Sequence, residues 1–299
     1  MRRSLFFITL CLFLFRVPAA LAELSKLADN VYAYVGVKDA SPAHSFAANA
    51  GIVIGRDGVL VIDTLISAKE GERFLADIRA ITDKPILYVV NTHTHLDHAL
   101  GNCVFAKLGA HIIAHEEDQT LLAQRGADIL KNAAVYGLQP EDMVGTEIVL
   151  PSIAFSQYLT INLGNSSVRL MRNQPSHTQG SLVVYLPQEK ILFSGDILFT
   201  DFHPFLADGD LPGWSKTLDD LMQLDVDKIV PGHGPLSSKK DLQEMQQYLS
   251  LFDSQAKAIL AQHADTAAAS ASLLQQLPKR SMAEWMVEFN LKSRYLANK

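Results

Sequence analysis

Cysteine is scarce in this chain, with only Cys11 and Cys103 among 299 residues. Cys11 falls in an N-terminal stretch expected to be removed, so Cys103 is left alone and no internal disulfide can form. Flanked by Val104 and Phe105, Cys103 reads as a small buried hydrophobe. Positive charge is also in short supply. Lys and Arg number 26 against 32 Asp and Glu, for a net charge of −6. Such a chain is a poor candidate for nucleic acid or for anionic membrane surfaces. There is no internal repeat and no glycine-rich nucleotide loop. The longest apolar run, Leu5 to Phe15, is too short for a comfortable membrane span, and Arg16 interrupts it.

That run sits in a pattern of its own. Arg2 and Arg3 precede it and Ala20-Leu21-Ala22 follows it, the layout of a secretory signal peptide cleaved after Ala22. The expected destination is a bacterial periplasm, by the ordinary secretory route rather than the twin-arginine one. An uncleaved N-terminal membrane anchor is the alternative. Cleavage removes Arg2, Arg3 and Arg16, takes the charge to −9, and leaves 277 residues, enough for one large domain over 23–299. No stable membrane association is expected after cleavage.

What the chain does have is concentrated in Thr92-His93-Thr94-His95-Leu96-Asp97-His98. The apolar run Ile86 to Val90 before it predicts a buried strand. In extended backbone His93 and His95 share a face, and Asp97 and His98 open a helix predicted over 97–109. Three imidazoles and a carboxylate at this spacing are suited to gripping divalent metal, a first ion by the histidine pair and a second beside it.

Around this motif the sequence predicts short strands at Val31 to Val35, Gly51 to Ile54 and Val59 to Ile62. A capping box at Ser67 and Glu70 then opens a helix through Phe74, Leu75, Ile78 and Ile81. Ala110 to Ala114 reads as a strand, with His111 and His115 as structural or surface histidines. Glu116 to Gln124 and Ala127 to Tyr136 read as separate helices. A second strand-rich section holds hairpins over 158–171 and 182–193. Ser176-His177-Thr178 precedes a strand, Ser194-Gly195-Asp196 follows one, and Pro231-Gly232-His233-Gly234 ends another. From Ser238 the chain turns helical. A last capping box is expected at Ser281 and Glu284, with Trp285, Met286 and Phe289 packing against the core.

Gly58 to Thr64, the His93–His98 motif, Ser176 to Ser181, Ser194 to Asp196 and Gly232 to Gly234, taken in this order, resemble the metallo-β-lactamase superfamily, from about Asn30 to Pro235. The resemblance implies an α/β fold, an αββα sandwich of two mixed β-sheets flanked by helices, with metals at one edge. It places His93, His95 and His177 on a first metal, Asp97, His98 and His233 on a second, and Asp196 bridging both. Asp63 would support a ligating histidine. His203, Phe205 and Trp214, in the loop from Phe199, would line the substrate pocket.

The donors are imidazole and carboxylate without thiolate, which suits zinc, with iron or manganese possible. Two ions about 3.5–4 Å apart can share a hydroxide near neutral pH, and Asp97 is placed to orient it or carry its proton. The expected activity is a dinuclear zinc hydrolase cleaving an ester, thioester or amide of a small-molecule substrate. One alternative is β-lactam hydrolysis, set back by Asp196, where the lactamases proper usually carry Cys or Ser. Another is a mononuclear iron sulfur dioxygenase. A binding protein that uses metal for stability alone needs only four ligands, and seven are present.

Overall fold

The computed structural model describes residues 22–36, 40–262 and 265–296. The expected signal segment, except Ala22, lies outside the described residues. Two sheets organise them. The first contains β1 (Ala22–Ala28), β2 (Val31–Gly36), β3 (Ala50–Ile54), β4 (Val59–Ile62), β5 (Ile86–Val90), β6 (His111–His115) and β7 (Ile153–Phe155), side by side in that order. Pairing is antiparallel from β1 to β4 and parallel from β4 to β7. The second contains β8 (Tyr158–Asn162), β9 (Ser167–Met171), β10 (Val183–Leu186), β11 (Ile191–Phe199) and β12 (Lys228–His233). Only β11 and β12 run parallel there.

Alternation along the strands explains the layering. In β2, Val31, Ala33 and Val35 point to the cleft between the sheets, where they meet Val168, Leu170, Val184 and Phe193. Tyr34 of β2 points the other way, into a cluster with Phe74, Ile78 and Phe105. Those side chains come from α1 (Ala68–Ile81) and from α3 (Asn102–Ala106), which follows the single-turn α2 (Leu96–Ala99). Next come α4 (Glu116–Lys131) and α5 (Leu211–Met222), and finally α6 (Lys239–Gln262), α7 (Thr266–Leu274) and α8 (Trp285–Asn290). The outer face of the second sheet is covered by α5 and by the last three helices, through Trp214, Leu242, Tyr248 and Phe252. The αββα sandwich implied by the resemblance is the observed architecture.

Several local expectations are corrected. The helix predicted over 97–109 is broken, because the Gly101 N–H bonds to the Leu65 carbonyl instead of continuing the helical ladder. Of the helices expected over 116–124 and 127–136, α4 runs unbroken through Gly126 to Lys131, and Ala133–Tyr136 forms a separate 3-10 turn. Ser67 does cap α1, but the Glu70 carboxylate pairs with Arg73 at 2.7 Å, so the reciprocal half of the box is absent. At the last helix Ser281 bonds Asp201 and caps nothing. The expected burial of the aromatic stripe there also fails. Met286 and Val287 face the core, while Trp285 is 55% and Phe289 42% exposed. Cys103 is buried beneath α1. Among the described residues no helix is long and apolar enough to cross a membrane.

Candidate metal centre

Parallel strands aim their carboxyl ends in one direction, and here the two sheets aim them at the same edge. Asp63 follows β4, the His93–His98 turn follows β5, and His233 is the last residue of β12. His177 lies in the loop between β9 and β10. Asp196 was expected just after a strand, yet β11 carries on past it to Phe199. The strand accommodates Asp196 through a register shift at Gly195, whose φ of 50° places it in left-handed backbone. An added Cβ there would meet Thr92 Oγ1 at 2.5 Å, so glycine lets β11 press against the motif turn.

Seven side chains meet at this edge in two groups. One is His93, His95, His177 and Asp196, and the other Asp97, His98 and His233, with the candidate ligand atoms of each group within 4.8 Å of one another. Asp196 lies between them. Its Oδ2 is 3.2 Å from His177 Nε2 and 3.7 Å from His93 Nε2. Its Oδ1 is 3.1 Å from His98 Nε2 and 3.5 Å from His233 Nε2. Asp97 Oδ2 is 3.3 Å from His233 Nε2.

Which nitrogen each ring turns inward is decided by what holds the other one. A carboxylate or carbonyl oxygen only accepts, so the ring nitrogen facing it carries the proton. His98 Nδ1 donates to Asp63 Oδ2 at 2.9 Å, His95 Nε2 to Asp208 Oδ2 at 3.0 Å, and His233 Nδ1 to the Phe46 carbonyl at 3.0 Å. Thr92 Oγ1 gives its proton to Asp63, so it accepts from His93 Nδ1 at 3.2 Å. The nitrogen that each of these four rings turns inward is thereby fixed: His93 Nε2, His95 Nδ1, His98 Nε2 and His233 Nε2. The fifth ring, His177, turns Nε2 to within 2.9 Å of His95 Nδ1.

Electrostatics divides the set. Burial drives His93 well below the usual imidazole value and His177 down to about 3, so both are neutral at pH 7. Burial also opposes charge on His98 and His233, but Asp196 and Asp97 outweigh it. They raise His98 well above the ordinary value and His233 to about 9. A cation taken up on that side displaces protons. Burial pushes Asp196 upward, and the surrounding imidazoles, led by His233, overcome it and hold the carboxyl well below the usual range.

The donor set fits divalent metal. His93 Nε2 and Asp196 Oδ1 are sealed from solvent without a well-formed hydrogen bond, although Oδ1 pairs with His98 Nε2 at 3.1 Å, and an ion held between them would satisfy both atoms. Phe199 stacks on His233 with centroids 5.1 Å apart, and Trp214 packs edge-on against His177 at 5.3 Å. These rings make the floor apolar and strengthen attraction for charge.

Two expected pocket residues lie elsewhere. Trp214 is fully buried with Nε1 on the Ile197 carbonyl, so it backs His177 and does not line an opening. His203 is buried and points its Nδ1 at the Tyr248 hydroxyl of α6, 2.8 Å away. Two carboxylates were missed. Asp118 accepts from Thr94 N, Thr178 Oγ1 and Gly180 N, tying the motif turn to the His177 loop. It sits in the first turn of α4 beside Glu116 and Glu117, with no sequence mark to set it apart. Asp208 lies in an irregular loop, and only folding brings it to His95.

A family model described as the metallo-beta-lactamase superfamily matches residues 45–233. The chain is 28% identical over 211 residues to the acyl-coenzyme A thioesterase MBLAC2 of Homo sapiens, covering 62% of this chain and 72% of that protein. It is 26% identical over 181 residues to the 2,4-dinitroanisole O-demethylase subunit alpha of Nocardioides sp. (strain JS1661), covering 60% of this chain and half of that relative's length. Among solved structures, a metallo-beta-lactamase from Pontibacter korlensis superposes with a TM-score of 0.63 at 23% identity, over 77% of this chain and 99% of its own. The DIM-1 metallo-beta-lactamase gives 0.61 at 17% identity, over 77% and 98%. At these identities the structural likeness is one of fold, and it agrees with the two-sheet architecture. The chain belongs to the metallo-β-lactamase superfamily and is an enzyme of its metal-dependent hydrolase type.

Proposed function

We propose that the chain is an exported hydrolase that uses two zinc ions to cleave a thioester, within the broader class of esters, thioesters and amides. The observation that carries this reading is the division of Asp196, with one carboxylate oxygen facing each histidine group. In the proposal His93, His95 and His177 would hold one ion and Asp97, His98 and His233 the other, with Asp196 within reach of both groups. Ions held there supply Lewis acidity and a water that ionises near neutral pH.

The protein's own groups do the rest. Asp63, Asp208, Thr92 and the Phe46 carbonyl fix the imidazoles, so little reorganisation is needed during reaction. Asp97 is the catalytic carboxylate, orienting the attacking water and taking its proton. The acyl carbon–sulfur bond breaks, the acyl group leaves as carboxylate, and the thiolate takes up the proton. Thioester cleavage is favoured by the similarity to an acyl-coenzyme A thioesterase and by aspartate at position 196. The similarity to a 2,4-dinitroanisole O-demethylase subunit carries a second reading, cleavage of an aryl methyl ether. Export is supported by Arg2-Arg3, the apolar run to Phe15 and Ala20-Leu21-Ala22. Cleavage after Ala22 would remove only the first residue of β1.

Metal content per chain is measured by mass spectrometry, with turnover on thioesters, lactones, 2,4-dinitroanisole, nitrocefin and a carbapenem. Two zinc ions with thioester turnover are expected. Turnover confined to the lactams, or a single iron with oxygen uptake on glutathione persulfide, would overturn the reading. Asp97→Ala should fold and lose turnover. Export is checked by the N-terminal residue of the protein recovered from the periplasm, expected to be Glu23.

A further inference from the structure

The seven side chains of the metal centre are buried with one exception, His95, so the centre meets solvent there. Beside that opening stands Phe205, whose ring lies 5.3 Å from the His95 ring and 6.0 Å from His177. Phe289 of α8 follows at 5.5 Å from Phe205, and Trp285 at 6.4 Å from Phe289. These distances are those of touching aromatic rings. The row therefore leads from a candidate ligand out to the surface, where Phe289 is 42% and Trp285 55% exposed.

The row is also held in place. Asn290, fully buried, accepts from Leu206 N and donates to the Pro204 carbonyl, gripping Phe205 from both sides. Arg294 donates to the carbonyls of Leu206 and Gly209, bracketing Asp208, which in turn meets His95. Helix α8 lies beyond the residues the family model matches, 45–233. A helix end whose apolar residues are turned outward beside a reaction centre is arranged for an apolar ligand, since exposed aromatic surface gains free energy when covered.

We propose that Phe205, Phe289 and Trp285 form the seat for the acyl chain of the substrate, running outward from His95 and setting chain-length preference. This rests on the thioester reading for its reaction but not for its binding, and the two are tested separately.

For binding, dodecanoate is titrated into the full chain while tryptophan emission is followed. The chain has two tryptophans, and Trp214 is fully buried, so a saturable blue shift reports Trp285. It should vanish in Trp285→Phe and weaken about tenfold in Phe289→Ala. For reaction, kcat/KM is compared for dodecanoyl and acetyl thioesters of one thiol. The preference for the longer chain should fall roughly tenfold in either Trp285→Ala or Phe289→Ala. Thioester turnover without chain-length preference and without an emission shift overturns the seat and leaves the hydrolase reading standing. A saturable shift with no thioester turned over keeps the seat and removes the thioester reading. Self-association, or binding to phospholipid vesicles, that is lost in Trp285→Ala without any response to dodecanoate assigns the patch to an interface and overturns the proposal.

Discussion

Asp63 shows how one residue sets several others. It holds left-handed backbone at φ 58° and accepts hydrogen bonds from Thr92 N, Thr92 Oγ1 and His98 Nδ1. Through Thr92 it also orients His93. Asp63→Ala should therefore lower metal affinity about 10- to 100-fold, read by titration calorimetry, with the ligands themselves intact. His203 provides a second prediction, in pH. Burial holds its imidazole down to about 4, against the ordinary value of 6.5 in the unfolded chain. Between those values the unfolded chain binds the proton that the folded chain refuses. Stability is then intact above about pH 6.5, falls as pH drops toward 4, and loses nothing further to this group below that. Urea melts of metal-free protein across this interval should show a shallower acid decline in His203→Phe than in the parent.

At the scale of elements, β11 and β12 decide whether the centre can form. They are the parallel pair in the second sheet, and they deliver Asp196 and His233 side by side. Gly232 makes that approach possible. A Cβ on it would lie 1.9 Å from Asp196 Oδ1, so Gly232→Ala must push the carboxylate aside. The same Cβ would lie 2.7 Å from Asp196 N and from the Gly195 carbonyl carbon, so β11 must shift as well. Metal affinity should drop about tenfold or more, read by titration calorimetry, with a lower melting temperature than the parent. The same scale shows where sequence reading was strong and weak. The β3, β4, β5 and β9 strands were legible because short β-branched runs bounded by turns have few other uses. The break between α2 and α3 was not legible, because the group that ends the helical ladder is a carbonyl from Leu65, distant in sequence.

For the whole molecule, the helices after 238 cover the second sheet and do not form an appendage. Leu242, Met245, Tyr248, Leu249 and Phe252 of α6 are all buried against it. At about 2 kcal/mol for each such side chain, their contribution is on the order of 10 kcal/mol, comparable to the whole stability of a typical domain. A chain ending at residue 238 should therefore be insoluble or lack a cooperative thermal transition, although it retains every candidate ligand. Scanning calorimetry and solubility after expression check this. Chelation by EDTA should lower the melting temperature of the full chain, because the carboxylates and imidazoles at the sheet edge would be left to compensate one another.

The candidate ligands were legible because metal chemistry needs particular atoms. Only imidazole and carboxylate were available, and the motif turn concentrates four of them in six residues. Alternation in β2 marked which residues share a face, whereas the two-sheet layering came from the family resemblance. Strands such as β4 and β11 are buried along their whole length and do not tell one face from the other. Sequence alone could not reveal Asp118 or Asp208, acidic residues like many others, whose roles come from partners that only chain folding supplies. It put His203 in the pocket because its loop passes there, whereas the ring turns to Tyr248 of α6. It misread Trp285 and Phe289 as core, because helical periodicity shows that residues share a face without saying what that face meets. The tertiary structure decided that, by docking Met286 and Val287 inward and leaving the aromatic rings beside the opening at His95.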